Sequence, residues 1–159
     1  FQTPPQAESL DWLKEKVSHS DGATLLALAS GAPLLALEMD DAELLAARDR
    51  MLKQFLSLGG PREDPIALAG NWQGFDGRLL LEWVSGWVID LLRLKSAANP
   101  PHLFNQDKAQ ALQDLADKLN SEALHRYLRL VYEARGLLDG NLNPQLVLEK
   151  LLIEWRACR

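Results

Sequence analysis

The chain has 159 residues, 47% hydrophobic and 25% charged, with a formal net charge of -5 and a pI near 5.2. That length buries a sizeable core and the composition is ordinary for a globular domain, which excludes a disordered segment. The acid excess argues against a grip on phosphate backbones beyond a small basic patch, and the lone Cys158 excludes a disulfide framework or a cysteine metal pair, as expected for a bacterial-type cytoplasm.

Punctuation and periodicity predict about seven helical segments and no convincing strand, so the expected class is all-α. Phe1 stands where an initiator Met would, and the chain is expected to be a piece of something longer. Pro4-Pro5 opens a first helix with Leu10, Leu13 and Val17 on one side, and Ser18-His19-Ser20-Asp21-Gly22 closes it and caps the next. Gly31 suits a left-handed helix end, and Pro33 starts a short helix to Met39. Residues 1–39 are read as pieces too small to own a core, belonging to a neighbouring domain.

A more regular pattern starts at Asp40-Asp41. Asp41 and Glu43 sit in the first turn of a helix whose stripe runs through Leu44, Leu45, Met51, Leu52, Phe55 and Leu58. Gly59-Gly60-Pro61 stops it, Asp64-Pro65 starts a short helix through Trp72, and Gly74 with Asp76-Gly77 breaks the chain again. The helix from about Arg78 to Lys95 is apolar around most of its circumference, with a narrow strip of Glu82, Asp90 and Arg93. Its apolar run, 79–94, is shorter than the roughly 20 residues of a membrane span and reads as a central buried helix. A Pro-containing loop then leads to a helix with Leu112, Leu115, Ala116 and Leu119, and Ser121 is expected to cap the next, bearing Leu124, Leu128 and Val131.

The last helix is the most informative. Asn143 caps it and Pro144 fits its first turn. Val147, Leu148, Leu151, Leu152 and Trp155 make a broad apolar face, while Leu146, Ile153 and Ala157 make a second stripe across Lys150 and Glu154. Two apolar faces want two neighbours, one in the same domain and one in a partner, so this second stripe is the candidate subunit interface. The alternative is that it packs under loops of its own domain.

Residues for chemistry are sparse. The chain has no Gly-rich phosphate loop with its Lys, no HExxH, no CxxC and no nucleophile elbow, so no catalytic, cofactor-binding or metal-ligating residue is nominated. His19, His102 and His125 are scattered in polar contexts and read as surface or capping residues. Asp114 and Asp117 share a helix face but read as a solvated one, and Cys158 has only Arg156 and Arg159 nearby to activate it. Trp83 and Trp87, one turn apart, read as core; a rival reading makes them the wall of a ligand pocket with Asp90 as its titratable group, neutralised by Arg93. A helical adaptor shares the same physical features.

Three phrases carry a family resemblance. They are Phe1-Gln2-Thr3-Pro4-Pro5 followed by Trp12-Leu13, then Leu28-Ala29-Ser30-Gly31-Ala32-Pro33-Leu34-Leu35-Ala36-Leu37, and finally Leu142-Asn143-Pro144-Gln145-Leu146-Val147-Leu148-Glu149-Lys150-Leu151-Leu152. In order and spacing they resemble the C-terminal part of the delta-prime subunits of bacterial DNA polymerase III clamp loaders. The resemblance implies that residues 1–39 end an AAA+ module, mostly its helical lid, and that 40–159 form a helical collar domain. It implies a heteropentamer with tau or gamma and delta subunits that places a sliding clamp on primed DNA, contact with DNA being indirect. In such lids a sensing Arg follows Gly by three positions; here Leu34 follows Gly31, and a leucine cannot pair with a phosphate. The resemblance therefore implies a non-catalytic member, the ATPase activity lying in other subunits.

Overall fold

The computed structural model describes residues 5–60, 62–97, 99–138 and 143–159. Among them the fold is all-α: α1 Gln6–Lys14, α2 Gly22–Leu28, α3 Pro33–Glu38, α4 Ala42–Ser57, α5 Pro65–Trp72, α6 Gly77–Ser96, a 3-10 turn Gln106–Lys108, α7 Ala109–Ala116, α8 Ser121–Leu138 and α9 Pro144–Ala157. The α-helices outnumber the seven or so expected in total, although each begins near a break read from the chain.

Helix starts follow local chemistry. The side chains of Asp21, Asp41, Asp64, Asp76 and Asn143 each accept a hydrogen bond from a first-turn N–H, satisfying donors that the helix cannot. For α8 the expected cap moves back one residue. Asn120, not Ser121, accepts from the N–H groups of Glu122 at 2.7 Å and Ala123 at 3.4 Å. Ser and Asn are both good caps, and the choice falls to the residue whose carbonyl takes the first intrahelical bond, from Leu124. At the end of α2 both Ser30, with φ 52°, and Gly31, with φ 87°, turn left-handed, and Gly31 N–H closes onto Leu26 O at 2.8 Å.

Helices α4 to α9 share one core. Central α6 packs on α7 and α8, and α9 lies between α5 and α8. Phe55, Trp87, Tyr127 and Trp155, one from each of α4, α6, α8 and α9, form its aromatic centre. Phe55 stacks on Trp155 with centroids 4.1 Å apart, Trp87 lies 5.3 Å from Phe55, and the Trp155 indole N–H donates to Phe55 O at 2.8 Å. Such rings contribute area and orientation together.

Helices α1 to α3 do close a core of their own, against expectation. Leu13, Leu25, Leu26, Ala29, Ala36 and Met39 form a small buried cluster, against which Leu45 and Leu79 pack from the larger bundle. Leu45 thus leaves the α4 stripe to which the spacing assigned it. A carboxylate completes the unit: Asp40, between α3 and α4, accepts from the N–H groups of Ser18, His19 and Ser20 at 2.5, 2.9 and 3.1 Å. Three donors that no helix uses are satisfied by one side chain.

Candidate subunit interface

Helix α9 separates its two faces cleanly. Val147, Leu148, Leu151, Leu152 and Trp155 are buried, whereas Leu146 is 60% exposed, Ile153 is 45% exposed, and Ala157 is also exposed. At 100° per residue these three lie within about 40° of one another, so they form a single line along the outside of the bundle. Among the described residues no loop covers these three side chains.

Beside that line, α8 and α9 enclose an apolar groove of about 190 Å³. Leu130, Ala134 and Leu137 of α8 face Leu146, Val147 and Leu151 of α9, and Glu133, Lys150 and Glu154 stand at the rim. Leu146 belongs to both line and groove, which makes the exposed apolar surface continuous.

The rival pocket wall fares differently. Trp87 is fully buried against Phe55, and Trp83 is buried against Phe75 with centroids 5.2 Å apart. Trp83 also borders a cleft of about 170 Å³ with Glu82, Ser85, Asn105 and Arg135, but Asp90 does not line it. Asp90 is wholly buried rather than part of a polar strip, and it accepts from Phe104 N–H at 2.9 Å and from the Asn105 N–H and side-chain amide at 2.8 and 2.7 Å. Arg93 is not its main partner. The guanidinium approaches only to 3.6 Å and lies over the Phe104 ring at 4.6 Å. Burial pushes the Asp90 carboxyl above the ordinary value, and the Asn105 and backbone donors offset that in part.

The same asparagine leads to a network that spacing did not reveal. Arg48, 2% exposed, donates to Asn105 Oδ1 at 2.5 Å, to both carboxylate oxygens of Asp107 at 3.1 Å, and to Asp49 at 3.0 Å. Lys108 closes the outer edge on Asp49 at 2.6 Å. Desolvation works against ionised Asp107, but Arg48 and Lys108 outweigh it and hold the carboxyl below its usual value. Arg48 is in phase with Leu44, Met51, Leu52 and Phe55 on α4, and a charge on an apolar stripe is the signal that marks such a buried partner.

The remaining candidates are placed at the surface. His19, His102 and His125 are exposed, and Asp114 and Asp117 accept from the side chains of Gln110 and Gln113 rather than meeting each other. Burial pushes the half-buried Cys158 thiol up, although Arg126 opposes this. Among the described residues no group of three or more His, Cys, Asp or Glu is placed to hold a metal, and no helix is long and apolar enough to cross a membrane. Leu34, 69% exposed, stands in the first turn of α3.

The fold defines the class, an all-α helical bundle domain. Residues 42–157 match the family described as DNA polymerase III, delta subunit, C terminal, and the chain belongs to that family. It is also 28% identical over 160 residues to the DNA polymerase III subunit delta-prime of Pseudomonas aeruginosa, an alignment covering 97% of this chain and 48% of the relative. The chain thus spans about half the length of that relative.

Proposed function

We propose that the chain is a non-catalytic oligomerisation segment of a clamp-loader subunit, helping to assemble the heteropentamer that loads a sliding clamp on primed DNA in the bacterial cytoplasm. On this reading residues 40–159 are the collar, with tau or gamma and delta subunits as neighbours, and residues 1–39 are the end of an AAA+ module. Family membership and the likeness to a delta-prime subunit support it. The observation that carries it is the outward line of Leu146, Ile153 and Ala157 on a helix whose other face is core. A closed ring asks each member for surfaces directed at its neighbours, and apolar side chains in water on a terminal helix offer one. Leu34 in the position of a sensing arginine fits a member that takes no part in hydrolysis.

Size-exclusion chromatography with light scattering, on the chain alone and mixed with tau or gamma and delta subunits, tests the reading. The expected outcome is a defined heteromeric species, reduced about 100-fold or more in affinity by L146D/I153D while helicity and melting stay unchanged. Indifference of the wild-type chain to those partners sinks the assignment, and collapse of the double variant places the two side chains in the core instead.

A further inference from the structure

We propose that the α8–α9 groove receives an amphipathic helix of about three turns, edged with basic side chains and presented by a neighbouring subunit. The proposal rests on the association role above and specifies the form and charge of what docks. The groove follows α9 from Asn143 to Glu154, about 16 Å at 1.5 Å per residue, which is the length of three helical turns. On α8 its lining recurs at 130, 133, 134 and 137, the spacing of one helix face, so each wall offers a ridge against which a third helix packs.

Backbone chemistry selects a helix over an extended segment. Both walls are helices whose mid-segment N–H and C=O groups bond within the helix, so the groove presents no ladder for a strand. An extended occupant would bury its own peptide groups against leucines without partners, whereas a helix arrives with them satisfied. The apolar floor then selects leucine-like side chains at i, i+3, i+4 and i+7 on the incoming face.

Charge selects the edges. Glu133 stands on one wall, Glu154 and Lys150 on the other, and among the described residues none of the three makes an ion pair. Two carboxylates against one ammonium leave the rim acidic. An incoming helix with Lys or Arg beside its apolar stripe meets Glu133 and Glu154, while an acidic one is repelled.

The test uses the full-length protein with purified tau or gamma and delta subunits as probes. E133K/E154K is expected to weaken association about tenfold with unchanged melting, K150E to strengthen it about threefold, and L137D to weaken it about 100-fold. With Leu137→p-benzoylphenylalanine, photocrosslinks in the neighbour are expected at residues three or four apart. Crosslinks at every second residue overturn the helix, and capture of a second copy of this chain overturns the neighbouring subunit. If the charge variants and L137D change nothing while I153D still abolishes association, the groove proposal falls and the association role stands; if neither set matters, both fall.

Discussion

The larger bundle and the small N-terminal unit are held by different physics. In the bundle, rings from four helices meet at one centre and the apolar surface is contiguous from Met51 to Trp155. In the N-terminal unit six small or medium side chains suffice for a cluster, and its connection between α1 and α2 depends on a carboxylate. A core with surplus apolar area tolerates polar compromise, as at Arg48, while a marginal one needs its polar clasp to hold shape.

The largest break in that comparison is Trp155→Ala. It removes the ring stacked on Phe55, its contact with Tyr127 and the hydrogen bond to Phe55 O, leaving a cavity among four helices. A loss of about 3–5 kcal/mol is expected, read by chemical denaturation, with α9 detached in hydrogen exchange. A loss below about 1 kcal/mol would place the centre elsewhere.

Arg48→Ala comes next. It leaves Asn105 Oδ1 and the Asp107 carboxylate without their guanidinium in a partly buried site, and about 2–4 kcal/mol is expected. Arg48→Met, which keeps the stem and drops the charge, should recover little unless Asp107 is also neutralised, because the stranded carboxylate rather than the lost stem carries the cost. Equal stabilities for Arg48→Ala and wild type would show the network to be incidental.

These two sites also mark what was legible from residue order. Asn143-Pro144 and Asp64-Pro65 announce helix starts within a few residues, and the 3.6-residue period assigned Val147, Leu148, Leu151, Leu152 and Trp155 to one side of α9 and Leu146, Ile153 and Ala157 to the other. Those are local signals. Apart from adjacent Asp49, the partners of Arg48 lie 57 and 59 residues away and the main ones of Asp90 lie 14 and 15 away, so no window of spacing brings them together, and Arg93, three residues from Asp90, is an attractive but minor partner. The small cluster of α1 to α3 is hidden from residue order for a related reason: each helix is too short to own a core, but three of them together enclose one.

The smallest expected effect is the sharpest test of the contrast. Asp40→Asn keeps the shape of the clasp and removes its charge, so the three N–H donors keep at best a weaker acceptor, and about 1 kcal/mol is expected from the analogy with a helix cap. The loss should be local, appearing as faster exchange of the Ser18, His19 and Ser20 amides while those of α6 and α8 stay protected. Its pH dependence has a definite sign. Enclosure of Asp40 opposes ionisation, but the three donors and His19 outweigh it, so the folded pKa falls below the ordinary 3.8. The ionised clasp therefore contributes fully above that value and is lost as pH drops through it and below. Asp90 behaves oppositely: its raised pKa means that the folded state takes up a proton before the unfolded chain does, so acidification from neutral pH relieves rather than adds to its cost. Lowering the pH toward 4 and below should thus loosen the α1–α2 connection before the bundle around Asp90, and simultaneous loss of protection in both would mean that the two units melt as one.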